Sequence, residues 1–177
     1  MRRVGHKGAD LITPGNTLAS FDSAVEHGAD MIEFDVLPED MRRPHNSRLL
    51  LSHDYDHDLT AVLTLDQGLA HLASSSFTSV ELDVDLKLPG YETRIVDALR
   101  MHGLVERALV SSTFMRSLVA VRALEPQLRL GWSVPRARRD YTQSRLWMLP
   151  AYAMVARIRR RLPAAVSYTH LTLPTKA

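Results

Sequence analysis

The stretch Val80–Lys87, VELDVDLK, decides how the rest of the chain is read. Val80, Leu82, Val84 and Leu86 alternate with Glu81, Asp83, Asp85 and Lys87, and side chains two apart share one face of a strand. In a half-exposed sheet the charged face would simply meet water. A sheet with both faces buried, one against helices and one toward an axis, gives the charges a different meaning. Met31–Val36, MIEFDV, repeats the pattern: Glu33 and Asp35 point one way, Ile32, Phe34 and Val36 the other. What has to be settled is whether strands of this kind succeed one another along the chain.

They do. Over residues 1–165, strand patterns at Arg3–His6, Met31–Leu37, Leu49–His53, Ser79–Leu86, Ala108–Ser112 and Leu128–Val134 alternate with helical ones. Asn16 is read as the cap of a helix whose Leu18, Phe21 and Val25 share a face, with Gly28 closing it. Thr64 and Gln67 form a capping box for a second helix through Leu72. Ile95, Val96 and Leu99 line a third before Gly103; Leu118, Val121 and Leu124 a fourth before Pro126; Trp147–Arg160 is a fifth. The segment Leu37–Arg48 is too short and polar for a crossover helix, so that unit is irregular.

Repeated strand–helix units specify an α/β fold with a parallel sheet. Gly5-His6-Lys7-Gly8 is a poor match to the Gly-rich phosphate turn of an open doubly wound sheet. His6, Glu33 with Asp35, His53, Asp85 with Lys87, and Ser111 with Ser112 all fall toward the C-terminal ends of successive strands. A barrel enzyme gathers its functional groups there. The expected fold is therefore a TIM-type (β/α)8 barrel, truncated after about six strands.

Composition fits one such domain: 177 residues, 45% hydrophobic. With 22 basic and 20 acidic side chains the net charge of +2 is too balanced to indicate nucleic acid. The basic runs at Arg136–Arg145 and Arg157–Arg161 read as solvated helix faces. Without cysteine there are no disulfides and no thiolate metal sites. No signal peptide is apparent, and a cytoplasmic location is expected. The apolar run Leu146–Ile158 is too short for a bilayer core of ~30 Å and is broken by Pro150. An outer barrel helix accounts for it as well as a peripheral membrane contact would, and no membrane contact is assigned. Val166–Lys176, VSYTHLTLPTK, has no helical or strand period and reads as translated sequencing-adapter DNA. Residues 166–177 are set aside as a non-native tail, leaving 1–165 as a barrel domain that is incomplete at its C-terminus.

The chemistry follows from the carboxylates. If Asp85 neighbours Glu33 and Asp35, each pair ~5 Å apart repels by about 3 kcal/mol at an effective dielectric near 20. Lys87 offsets one charge, and a divalent cation is the simplest further remedy. Oxygen ligands without thiolates favour Mg²⁺ or Ca²⁺ over zinc. Glu81 and Asp83 are given structural roles.

VGHKGAD, PGNTLASFDSAVEHGADMIEFDV, LLLSHD, VELDVDLK and VSSTF together resemble, in order, the motif series of the glycerophosphodiester phosphodiesterase family over residues 3 to about 134. The resemblance implies a TIM-type barrel that uses a divalent metal to hydrolyse a small-molecule glycerophosphodiester to glycerol 3-phosphate and an alcohol. His6 and His53 match its catalytic histidines, Glu33, Asp35 and Asp85 its metal carboxylates, and Lys7 and Lys87 its phosphate-side cations. Histidine titrates near neutrality and suits acid/base work on a phosphodiester. Three positions depart from the pattern: Lys7 stands for Arg, Gly15 for Glu, and Asp85 for the commoner Glu. Trp132 and Phe114 are candidates to line the alcohol's pocket. The alternatives are a non-catalytic truncated fragment and a related phospholipase-type phosphodiesterase.

Overall fold

The computed structural model describes residues 2–56, 58–133, 157 and 166–168. Its strands are β1 (Val4–Gly5), β2 (Met31–Pro38), β3 (Leu49–Leu50), β4 (Glu81–Leu86), β5 (Ala108–Ser112), β6 (Arg129–Trp132) and β7 (Val166–Tyr168). Between them run α1 (Leu18–Glu26), α2 (Leu65–Leu72), α3 (Glu92–Met101) and α4 (Met115–Leu124). The sheet order is β1-β2-β4-β5-β6-β7, every pair on that path parallel. Parallel neighbours joined by outer helices are the (β/α) barrel plan, present here as an open arc.

Both faces of the arc are covered. Ile32, Phe34, Val36, Leu82, Val84, Leu86, Val110 and Leu130 form one apolar core with Phe21, Leu69, Leu72, Ile95, Val96, Leu99, Leu118 and Val121 of the helices. Each such side chain contributes about 1.5–3 kcal/mol when fully buried. The alternate residues turn to the other face, and the register stacks them in layers: Glu33 beside Asp83 and Leu109, then Asp35 beside Asp85, Ser111 and Gly131. The charged face of VELDVDLK is thus an interior face.

The helices begin and end largely where local chemistry dictates. Thr64 and Gln67 bond each other's backbone at the start of α2, the expected capping box. The start of α1 is different: Thr17 is the cap, in a box with Ser20, which leaves Asn16 for another task. Gly28 ends α1 with φ +73°, a conformation costly for any residue with a Cβ.

The third strand departs from expectation. Leu49–Leu50 runs antiparallel to the C-terminal part of β2, pairing Leu37 with Leu50 and Pro38 with Leu49. It lies off the barrel path, so β2 pairs directly with β4. An antiparallel return needs only a loop, whereas a parallel one needs a crossover of a dozen residues or more. The polar Leu37–Arg48 connection could make only the former, and Glu39 and Arg48 close it through a backbone bond and an ion pair at 2.5 Å. His53 accordingly lies at the end of a hairpin arm and not of a barrel strand.

The sixth path strand also differs. Val166–Tyr168, the start of the segment set aside as a tail, pairs in parallel with β6 through an irregular register. An edge strand presents unpaired N–H and C=O groups to any extended segment. The fifth helix expected at Trp147–Arg160, the basic run at Arg136–Arg145 and the tail beyond Tyr168 lie outside the described residues, Arg157 excepted.

Candidate active site

β2 and β4 are in register, so Asp35 faces Asp85 across the ladder and Glu33 faces Asp83. One carboxylate oxygen from each of Glu33, Asp35 and Asp85 lies within 4.8 Å of the others. Asp83 is fully buried one layer down and accepts a 2.6 Å bond from Ser111 Oγ, which also lies 3.4 Å from Asp85. Like charges directly opposite one another oppose pairing, so the cluster needs cations and donors.

Lys87 supplies the first. It continues past β4 with its backbone N–H on Val36 O, and its Nζ lies 2.5 Å from Asp35 Oδ1 and 2.6 Å from Asp85 Oδ2. Tyr91 pins this turn, accepting from Leu88 N and donating to Val36 O at 2.6 Å. Lys7 Nζ lies 3.9 Å from Asp35. The backbone of Lys7 sits in the left-handed region at φ 49°, strained for a residue with a long side chain. Its N–H bonds Glu33 Oε2 at 2.9 Å while Gly8 N bonds Glu33 O, which wraps the turn after β1 over β2. Asn16, also left-handed at φ 57°, reaches across to Asp35 with both ends of its amide: Nδ2 donates to Oδ2 at 2.9 Å, and Oδ1 accepts from the backbone N–H at 3.1 Å.

The charges divide unevenly. Burial pushes the Glu33 carboxyl up to about 8, and the charge on Asp35 adds to the rise. Burial works the same way on Asp35, but the Lys87 ammonium and the Asn16 amide win and hold it below the usual carboxylate range. Asp85 is raised, burial outweighing Lys87. Burial opposes the charge on Lys87, yet the carboxylates of Asp85 and Asp35 together keep it firmly protonated. Among the described residues Glu33 has no ion-pair partner. The trio therefore holds one more acidic group than the lysine satisfies, and its donors are all hard oxygens. Such a donor set fits a Mg²⁺ or Ca²⁺ ion bound by Glu33, Asp35 and Asp85.

The histidines flank this cluster unequally. His53 lies near enough to Asp35 to interact with its carboxylate. It lines a cavity of about 910 Å³ with Lys7, Asp10, Asn16, Arg48 and Thr64. Its Nδ1 is 3.1 Å from Asp54. His6 follows β1 directly; its side chain is 61% exposed and its Nδ1 is 2.7 Å from Asp10 Oδ2. His6 borders a neighbouring apolar cavity of about 300 Å³ that shares Asp10 with the first. His27, His71 and His102 engage Ser23 O, Asp22 and Asp66, in keeping with structural roles; His57 lies outside the described residues.

Gly15, a departure from the motif, has a steric cause. A Cβ there would lie 2.7 Å from Lys7 Cβ and 3.0 Å from Asp10 Cβ. Neither Trp132 nor Phe114 lines the 910 Å³ cavity. Trp132 is buried in the core, and Phe114 precedes α4 with the Arg116 guanidinium 5.8 Å from its ring. The sequence reading missed Asn16 and Asp10. The Thr17–Ser20 pair was a signal for the first, since a box beginning at Thr17 leaves Asn16 outside the helix.

Residues 6–60 match the model of the Glycerophosphoryl diester phosphodiesterase family. A glycerophosphodiester phosphodiesterase of Caldanaerobacter subterraneus subsp. tengcongensis is 26% identical over an alignment covering 72% of this chain and 64% of that protein. A glycerophosphodiester phosphodiesterase domain-containing protein of Macaca fascicularis is 46% identical over 52 residues, 29% of this chain and 8% of that protein. The chain thus spans less than two thirds of either relative. Among solved structures, a glycerophosphodiester phosphodiesterase of Agrobacterium tumefaciens aligns at TM-score 0.62 and 23% identity, over 78% of this chain and 69% of that one. A phosphodiesterase of Oleispira antarctica, in complex with the product sn-glycerol-3-phosphate, aligns at 0.62 and 22%, over 94% and 82%. In the motifs of residues 6–60 and in the α/β barrel arc they begin, this chain is similar to the glycerophosphodiester phosphodiesterases.

Proposed function

We propose that this chain carries the active site of a metal-dependent phosphoric diester hydrolase that cleaves glycerophosphodiesters to glycerol 3-phosphate and an alcohol. The observation that carries the reading is the carboxylate trio: Glu33, Asp35 and Asp85 within 4.8 Å of one another, one cation short, on adjacent parallel strands. The glycerol 3-phosphate bound by the Oleispira antarctica protein is consistent with that substrate class.

A phosphodiester is anionic and repels nucleophiles, so catalysis requires positive charge against its oxygens as the transition state forms. A divalent cation on the trio would polarise the phosphoryl oxygens and stabilise that charge. Lys7 borders the cavity and brings an ammonium to the same side. Lysine keeps the charge of the family's arginine but not its two-pronged geometry, which loosens the orientation of the phosphate. Lys87, committed to Asp35 and Asp85, holds the carboxylates in place and balances their charge. His6 and His53 are the proton-transfer pair, one activating the attacking oxygen and the other protonating the departing alkoxide.

The test is release of glycerol 3-phosphate from glycerophosphocholine by the purified chain, with Mg²⁺ or Ca²⁺ and with a chelator. Turnover is expected only with the ion, and His53→Ala is expected to abolish it. Near-normal turnover by that variant would remove His53 from the mechanism. Cleavage of intact phospholipid but not of glycerophosphocholine would favour the phospholipase-type alternative.

A further inference from the structure

Asp10 closes the VGHKGAD stretch and carries none of the roles assigned above, yet it stands where the two cavities meet. We infer that Asp10 is a positioning residue for His6, fixing its tautomer so that Nε2 is the proton-transfer atom. This rests on His6 acting in acid/base catalysis.

The turn after β1 brings the pair together. Asp10 N bonds His6 O at 3.3 Å, one helix-like turn, and side chains four apart then lie side by side. Asp10 Oδ2 lies 2.7 Å from His6 Nδ1. An ionised carboxylate only accepts, so Nδ1 must carry the hydrogen; Nε2 of the neutral ring is left with its lone pair free. When Nε2 takes a proton from an attacking hydroxyl, Nδ1–H stays on the ring and the Asp10 charge stabilises the imidazolium. When Nε2 returns the proton, the neutral Nδ1–H form is restored.

Three further observations agree. His53 has the same arrangement, its Nδ1 on Asp54, whereas His71 and His102 meet their carboxylates through Nε2. Gly15 makes room for the dyad, since a side chain there would crowd the Cβ atoms of both Asp10 and Lys7. Asp10 is also the better shielded partner, with 28% of its side chain exposed against 61% for His6. That exposure screens the pair, so its effect falls well below the ~10⁴-fold loss seen when a buried triad aspartate is neutralised.

The experiment combines nitrogen NMR of the metal-free chain with kinetics of the metal-loaded one. His6 is expected as the Nδ1–H tautomer in the wild type. Asp10→Ala should shift it toward Nε2–H and lower kcat about 10- to 100-fold with KM changed less than about threefold. Asp10→Glu should recover part of the loss, and Asp10→Ala should add nothing in a His6→Ala background. If Asp10→Ala does not fold, Asp10→Asn preserves the shape and serves for both readouts. An Nε2–H tautomer in the wild type would overturn the inference. So would an unchanged tautomer and kcat in the variants, or an equal loss with and without His6. The NMR readout needs no turnover: the expected tautomer in a chain that cleaves no diester would uphold the positioning by Asp10 and refute the proposed function.

Discussion

Glu33 is the carboxylate on which the electrostatics of the site can be measured directly. In the metal-free protein its pKa rises from the usual 4.5 to about 8. The folded state therefore binds more protons than the unfolded state between those values. Its contribution to stability is fully present below the unfolded value and is lost as pH climbs through the folded one. At ~1.4 kcal/mol per unit, the shift sets a ceiling of about 5 kcal/mol on stability lost between pH 4.5 and 8. Asp85, raised for the same reason, adds to the loss with the same sign. Asp35, held low, loses its contribution only in more acid solution and stays outside this window. The perturbation is Glu33→Gln, which keeps an oxygen for the Lys7 N–H and removes the charge. Urea unfolding in chelator at pH 5 and pH 8 gives the comparison. The wild type should be markedly weaker at the higher pH, and the variant's pH dependence should be smaller by several kcal/mol. A divalent ion at 100 times its Kd should restore about 2.7 kcal/mol to the wild type at pH 8. Identical pH dependence in the two proteins would refute the picture of an uncompensated charge at Glu33.

Other substitutions separate the site from its scaffold. Asn16→Ala removes both amide bonds to Asp35 and leaves its buried N–H unsatisfied. It should cost about 1–3 kcal/mol in denaturant unfolding and weaken metal binding. Thr64→Ala, which breaks the cap of α2, should cost about 1 kcal/mol in the same measurement. Gly15→Ala drives a methyl against Lys7 and Asp10; it should raise KM for the diester and cost about 1–3 kcal/mol by overpacking.

Much of this was legible in the chain because the signals were periodic or local. The two-residue alternation of MIEFDV and VELDVDLK gave the inward carboxylates, and Thr64 with Gln67 gave the start of α2. The direction of Leu49–His53 was not legible: a short apolar run reads the same whether it pairs parallel or antiparallel, and only the length of the connection distinguishes them. Asn16 was misread because asparagine caps helices well, and nothing local shows that its amide is spent on a strand 19 residues away. Asp10, though it closes VGHKGAD, was given no role because an aspartate in a turn is commonplace; its meaning comes from a 2.7 Å contact with His6.

The antiparallel detour through β3 has a consequence for how such a site can change. Because that arm branches from β2 and is bypassed by the β2–β4 pairing, residues 39–48 at its tip can lengthen or shrink without disturbing the strands that hold the three acids. The imidazole of His53 is in effect mounted on a removable bracket. Grafting a bracket of different reach should reshape the mouth of the site while the ion's cradle stays as it is.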